Sequence, residues 1–286
     1  MPNVLRTFAV NAVKPLVSDT VWERLRATLR RQPASAPEKS KPPTVQRVRR
    51  KRLRQMNLTE LAKEFKTDKA GIHQYTQHYE QHLKHLKSEK FTLLELGIGG
   101  YARKGRGGAS LRTWKHFFPK ANIVGLDIQD KSFVDAPRIR TYKGSQVDEQ
   151  LLRQILADAG EIGVVIDDGS HRPEHIRESF RILFPLLRNG GVYAIEDTQT
   201  SYWPEYGGSQ DRYAQNTTMS LVKDLVDGLN YEEYVDDSYE PTYTDLNVVA
   251  VHAYHNLVLI EKGINREGTN RRRVLRKRYK EADAKP

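Results

Sequence analysis

Two short runs, each an acidic pair directly after an apolar stretch, hold the residues best suited to chemistry. Asp167-Asp168-Gly169-Ser170-His171 follows the stretch 163–166, and Glu196-Asp197-Thr198 follows 191–195. If both stretches are parallel strands of one sheet, their carboxyl ends meet above it, and Asp168, Glu196 and Asp197 converge on one point. Three hard oxygen donors, in a chain without cysteine, suit Mg²⁺ or another hard divalent cation with positions left open for substrate. His171 lies one helical step beyond Asp168, where an imidazole is placed to act as a general base near neutral pH. Each residue also has an ordinary reading. Acids at strand ends serve as turn and helix-cap residues, and a histidine there often starts a helix.

The stretch around which the chain is organised is Phe91–Tyr101, FTLLELGIGGY. Its apolar run reads as a buried strand. Gly97, Gly99 and Gly100 then let the backbone turn tightly and come close to a ligand. A strand leading through such a turn into a helix is how α/β proteins hold nucleotide-like cofactors. The next apolar stretch ends in Asp127, and an acid at the tip of the second strand faces ribose hydroxyls. NAD and S-adenosylmethionine would both use it. The second glycine group, Gly105–Gly108, is an insertion rather than a compact G-x-G-x-x-G turn, so no diphosphate cradle is formed, which favours the methyl donor.

The elements that must position these residues alternate from residue 91 onward. Strands are expected at 91–96, 122–127, 138–142, 163–167 and 191–196, and helices at 110–118, 148–158 and 173–188. That alternation predicts an α/β, doubly wound, mostly parallel Rossmann-like sheet. Two adjoining β-rich runs, 247–254 and 256–262, make a terminal antiparallel hairpin of the kind that marks a class I methyltransferase sheet. Residues 57–88 read as a helical cap broken at 67–71. Tyr75, Tyr79 and Leu83 form its apolar stripe, and Asp68-Lys69 in the break is the part most exposed to ligand. His78, His82 and His85 also approach helical spacing, but no nearby acid completes a metal site, and they read as surface. Four segments result: a basic helical extension and linker over 1–54, the cap over 55–90, the S-adenosylmethionine-binding domain over 91–265, and a basic tail over 266–286.

Charge supports this division. The 286 residues carry a formal net charge of +11, yet residues 1–54 hold 14 Lys/Arg against 3 Asp/Glu and residues 266–286 hold 9 against 3, leaving 24 against 30 between them. The middle is therefore mildly acidic and the basic charge sits at both ends. Residues 13–32 can form a basic amphipathic helix that packs on the domain, joins a second subunit, or lies on an anionic membrane. The stretch 33–43 reads as a Pro-rich linker, and Arg47–Arg54 as a solvated charge run. The absence of cysteine fits a reducing cytoplasm, with membrane association open through the basic N-terminus. Nucleic acid is an unfavoured partner: the loop after the fourth strand is DDGSH, not the Asn/Asp-Pro-Pro-aromatic loop of base-amine methylation.

Taken together, ELGIGGY, GGASLRTWKHFFP, GLDI, GSQ, IDDGSH and IEDTQTSYWP resemble the metal-dependent sugar O-methyltransferases of macrolide biosynthesis, of the mycinamicin deoxysugar type. The resemblance covers about residues 57–263 and is most specific in the IDDGSH and IEDTQT pair. It implies S-adenosylmethionine near Glu95, Gly97, Gly99, Ser110, Asp127, Ser145, Gln146 and Asp167. It further implies Mg²⁺ on Asp168, Glu196 and Asp197, His171 as base with Asp168 beside it, and a sugar-containing acceptor. Tyr202, Trp203 and Tyr206 are expected to wall the acceptor pocket, since aromatic faces stack on sugar rings, although the same side chains could simply anchor their loop. The chain is expected to depart from the family type in lacking its large N-terminal oligomerisation region, so the family's quaternary structure is not carried over.

Overall fold

The computed structural model describes residues 44–269. The expected helix at 13–32, the linker at 33–43 and most of the basic tail lie outside the described residues. The chain divides into two units, 1–50 and 51–286, and everything below concerns the second, apart from the first turns of helix α1 (Thr44–Gln55). The expected solvated charge run falls on α1. It is helical because Leu53 has an apolar site to fill, being buried, while Arg52 pairs with Glu64 at 2.7 Å.

Two helices of the cap follow. Helix α2 (Leu58–Phe65) starts in a capping box, in which the Asn57 side chain accepts from the Glu60 N–H and the Glu60 carboxylate accepts from the Asn57 N–H, removing two orphan donors. Lys66 ends it in a left-handed conformation. Helix α3 (Tyr75–Leu83) begins after a tight loop whose Lys69 carbonyl accepts from the N–H groups of Tyr75 and Thr76.

The rest is a seven-stranded sheet in the order β3-β2-β1-β4-β5-β7-β6. The strands are β1 (Thr92–Leu96), β2 (Asn122–Asp127), β3 (Ile139–Lys143), β4 (Ile162–Asp167), β5 (Leu187–Glu196), β6 (Val248–Tyr254) and β7 (Leu257–Lys262). The first five are parallel; β7 runs antiparallel to β5 and pairs with β6 as the expected hairpin. Every residue of β1 and β4 is buried, as a parallel sheet covered on both faces requires. Alternate residues feed two cores. Leu93, Val164 and Ile166 join α2, α3 and α4 (Ala109–Phe117) on one face. Leu94 and Val165 join α5 (Glu149–Ala159), α6 (Pro173–Leu183) and α7 (Thr218–Gly228) on the other. A short helix α8 (Tyr243–Asn247) precedes β6. The expected helix 173–188 stops at Leu183 because Pro185 cannot continue it, and β5 starts early, at Leu187.

Register sets up the site. Leu96 stands opposite both Leu126 and Asp167, and Asp167 stands opposite Ile195. The residues one step further on, Gly97, Asp127, Asp168 and Glu196, therefore share the carboxyl edge of the sheet. Among the described residues, no helix is long and apolar enough to cross a membrane.

Candidate active site

A cavity of about 500 Å³ opens at this edge, within the range of small-molecule sites. Gly97, Gly99, Asp127, Ser145 and Gln146 line one end; Asp168, His171 and Asp197 line the other. A larger groove of about 820 Å³ between α6, α7 and α8 contains none of the expected residues.

The glycine turn is built for close approach. Gly97 has φ +84°, and a Cβ there would lie 2.1 Å from the Asp168 carbonyl oxygen. Gly99, with φ +69°, faces open space, so any side chain would project into room a ligand could fill. Asp127 braces the turn: its Oδ2 accepts from Ile98 N at 3.0 Å and its Oδ1 from Gln129 N at 2.8 Å. Lys131, buried, holds the inserted glycine loop by donating to the carbonyls of Tyr101 at 2.7 Å and Arg106 at 3.2 Å.

Three expected cofactor residues do not line the cavity. Ser110 is buried in the first turn of α4. Asp167 lies beneath the floor, accepting from Gln146 Nε2 at 3.0 Å, Tyr193 OH at 3.1 Å and the Ser179 hydroxyl. It therefore orients Gln146 rather than facing ligand. Burial pushes its carboxyl up to about 6 against the pull of those hydrogen bonds. Glu95 is wholly buried, and neither of its oxygens has a hydrogen-bond partner.

At the other end, one donor atom each from Asp168, His171 and Asp197 falls within 4.8 Å of the other two. His171 and Asp197 both sit at positive φ, +56° and +54°, which sharply turns the chain after β4 and β5 and aims both side chains into the cavity. His171 Nε2 lies 3.7 Å from Asp197 Oδ2, while its Nδ1 is buried without a partner. Glu196, expected in the same set, is held behind it: Oε1 accepts from Tyr79 OH at 2.6 Å and Oε2 from Lys69 Nζ at 2.7 Å. Of the expected acceptor aromatics, Tyr206 packs toward His171, with ring centroids 6.5 Å apart. Tyr202 and Trp203 are 42% and 43% exposed, and none of the three lines the cavity.

Of the Asp68-Lys69 break expected to touch ligand, Asp68 lines the cavity, whereas Lys69 is buried at the centre of the acids. The Lys69 ammonium, 2% exposed, lies 2.7 Å from Asp168 Oδ2, 2.7 Å from Glu196 Oε2 and 3.3 Å from Glu95 Oε1. Burial alone would pull that ammonium down, but Asp168, Glu196 and Glu95 outweigh it and hold it well above its ordinary value. The Tyr75 hydroxyl likewise donates to Asp197 Oδ1 at 2.8 Å.

Comparison with known proteins gives the family of the chain. No family model matches the chain. It is 48% identical over 215 residues to demethylmacrocin O-methyltransferase of Streptomyces fradiae, covering 74% of this chain and 54% of that protein. It is 45% identical over 218 residues to mycinamicin VI 2''-O-methyltransferase of Micromonospora griseorubida, covering 75% and 55%. The solved MycE methyltransferase of the mycinamycin pathway, in complex with Mg and SAH, superposes with a TM-score of 0.73 at 37% identity, covering 87% of this chain and 71% of that one. The chain belongs to the sugar O-methyltransferases of macrolide and polyketide biosynthesis. It spans about half the length of the curated relatives it matches.

In this family member the site has an unbalanced charge. Three carboxylates, those of Glu95, Asp168 and Glu196, meet one ammonium, and Asp197, held by the Tyr75 hydroxyl, lies beside them. Burial drives Glu95 up to about 7, and burial, then Asp168, drives Glu196 well above its ordinary value, although Lys69 opposes both shifts. Burial also raises Asp168. Carboxyls that bind protons this readily are short of positive charge, and their hard oxygens match Mg²⁺. The donor set therefore fits the ion expected from sequence, and the open glycine turn fits the methyl donor.

Proposed function

We propose that the chain transfers a methyl group from S-adenosylmethionine to a hydroxyl of a sugar-containing acceptor in a Mg²⁺-dependent reaction. The observation that carries this reading is one continuous cavity, running from the glycine turn at Gly97 and Gly99 to the Asp168–His171–Asp197 cluster, in a chain of this family. When bound, the donor supplies a methyl on a sulfonium sulfur, and the ion makes a neighbouring hydroxyl more acidic.

The chain's own residues do the rest. Gly97, Gly99, Ser145 and Gln146 hold the donor, with Glu95, Ser110 and Asp167 supporting the turn from beneath and Asp127 bracing it. Asp168 and Asp197 would hold the ion, with Glu196 the third carboxylate of the set, its oxygens accepting from Lys69 and Tyr79 in this structure. His171 takes the acceptor proton at Nε2, where Asp197 Oδ2 stabilises the resulting imidazolium. Tyr75 fixes Asp197 for that task. Tyr206, beside His171, supports the acceptor side, with Tyr202 and Trp203 at the rim. Aligning hydroxyl, methyl and sulfur is the remaining contribution, a positioning effect.

The test is mass spectrometry of methyl transfer across a panel of glycosides, with Mg²⁺ and with excess chelator, for the natural chain and His171→Asn. Transfer should require the ion and disappear in the variant, while calorimetry shows that SAH still binds it. Undiminished transfer in chelator, or an active His171→Asn, would overturn the assignment.

A further inference from the structure

A second set of metal-ligating side chains lies outside the cavity. On sequence spacing the histidines of α3 read as surface because no acid stood near them. The fold supplies one from the far end of the chain. In the hairpin, His252 pairs with Leu259 and Ala250 with Glu261, so His252 and Glu261 project as diagonal neighbours from one face. Helix α3 meets that face. His82 Nδ1 lies 3.5 Å from Glu261 Oε1, His252 Nε2 lies 2.9 Å from the same oxygen, and the two imidazoles are 4.1 Å apart. One donor atom from each residue falls within 4.8 Å of the others.

The surroundings match those of a ligating histidine. His82 Nε2 is 2.8 Å from Tyr254 OH, and a ring that donates there turns the Nδ1 lone pair inward. An outer hydrogen bond of this kind fixes the tautomer and orientation of metal-bound histidines. Tyr254 is itself held by stacking on His78, centroids 3.7 Å apart. Burial, then the neighbouring His252, keep the His82 imidazole below its ordinary pKa although Glu261 acts the other way. His252 and Glu261 are 33% and 37% exposed, which leaves an entry route and an open coordination position.

We propose that His82, His252 and Glu261 form a second metal site, selective for a nitrogen-preferring divalent transition ion such as Zn²⁺ rather than for Mg²⁺. Its role is structural. It clamps α3 to the β6–β7 hairpin, and the same helix carries Tyr75 and Tyr79, whose hydroxyls hold Asp197 and Glu196. The proposal does not depend on the methyl-transfer assignment.

The experiment uses the untagged full chain, stripped by chelator, dialysed and titrated with Zn²⁺ by calorimetry in excess Mg²⁺. One Zn²⁺ should bind per chain and raise Tm. His252→Ala and Glu261→Gln should each abolish both effects while keeping the metal-free Tm and circular dichroism of the natural chain. Tyr254→Phe should weaken binding roughly tenfold. With Cu²⁺ as the probe, electron paramagnetic resonance should show coupling to two imidazole nitrogens. The cluster at Asp168 and Asp197 also has two imidazoles in reach, His171 and His73, each 3.7 Å from Asp197, so two-nitrogen coupling that persists in His252→Ala would overturn the proposal. So would Zn²⁺ binding that survives His252→Ala or, should that variant not fold, Glu261→Gln.

Discussion

Replacing Lys69 with methionine tests the electrostatic reading of the site directly. Methionine keeps most of the side-chain length and removes the charge that Asp168, Glu196 and Glu95 share at 2.7, 2.7 and 3.3 Å. With the ammonium 2% exposed, water does not replace it, and breaking a buried ion pair from one side costs about 3–5 kcal/mol. For a chain of this size that is a fall in Tm of about 6–20 °C, at roughly 2–4 °C per kcal/mol. The loss should depend on pH. The folded-state pKa of Glu95, about 7, lies above its ordinary 4.5, so its contribution to stability is complete below about pH 4.5 and is lost as pH rises through 7. Burial sets that shift and Lys69 is the main influence opposing it. Removing Lys69 therefore raises that pKa further and extends the loss above pH 7. Thermal unfolding by circular dichroism from pH 5 to 8.5 should show the variant closest to the natural chain at pH 5 and furthest from it above pH 8. Added Mg²⁺ should recover part of the gap, because a divalent ion on Asp168 and Asp197 replaces some of the missing charge. A variant within about 1 kcal/mol of the natural chain at pH 8, below the range for a broken buried pair, would refute the account.

Three other outcomes follow from the geometry. Gly97→Ala places a methyl 2.1 Å from the Asp168 carbonyl at φ +84°; strain of about 1–3 kcal/mol plus the clash should lower Tm and remove measurable SAH binding by calorimetry. Lys131→Met removes the hydrogen bonds that tie the exposed-loop carbonyls of Tyr101 and Arg106, and at about 1.5–3 kcal/mol for hydrogen bonds from a charged group it should weaken SAH binding roughly tenfold while the far-UV spectrum is unchanged. Lys262→Met removes a buried ammonium that donates to the carbonyls of Phe184, Pro185 and Leu187; chemical denaturation should register a loss of at least about 2 kcal/mol, with the Mg²⁺ dependence of transfer unaltered.

The sheet was legible because its strands are short apolar runs punctuated by glycine and acids, and such runs have few other uses. Asp127, Asp168 and Glu196 close three of those runs, so their place at one edge followed once parallel order was inferred. Depth was less legible. Asp167 and Asp168 are neighbours of the same type, and only pleat alternation at the end of β4 sends the first beneath the floor and the second into the cavity. Tyr75 and Tyr79 read as an apolar stripe, which their rings are; that their hydroxyls reach Asp197 and Glu196 depends on how α3 lies across the sheet. The charge run at Arg47–Arg54 hid a helix because one buried leucine, Leu53, is too little periodicity to read. The histidines of α3 lacked an acid only in sequence, since Glu261 arrives through a strand pairing that local spacing does not encode.

Lys69 was legible as part of the cap's ligand-facing break, but its burial among carboxylates was not, for a reason that also explains the site. It sits in a break between two helices, where no periodicity constrains it, and its three partners come from the ends of β1, β4 and β5. A lysine among three carboxylates lowers their mutual repulsion as the cap closes, yet leaves the group net negative. Had the chain supplied a second buried cation, the acids would be satisfied and would have little affinity left for a divalent ion. Among the described residues no second buried cation reaches these acids, and burial holds Glu196 and Glu95 above their ordinary values although Lys69 opposes it. The cap thus delivers enough positive charge to fold over the site and too little to saturate it. Because Lys69 and Tyr75 both lie in the segment that ends α2 and begins α3, the groups that steady Asp168 and Asp197 arrive together when the cap docks. Loss of cap order should therefore abolish ion binding even with every acid intact.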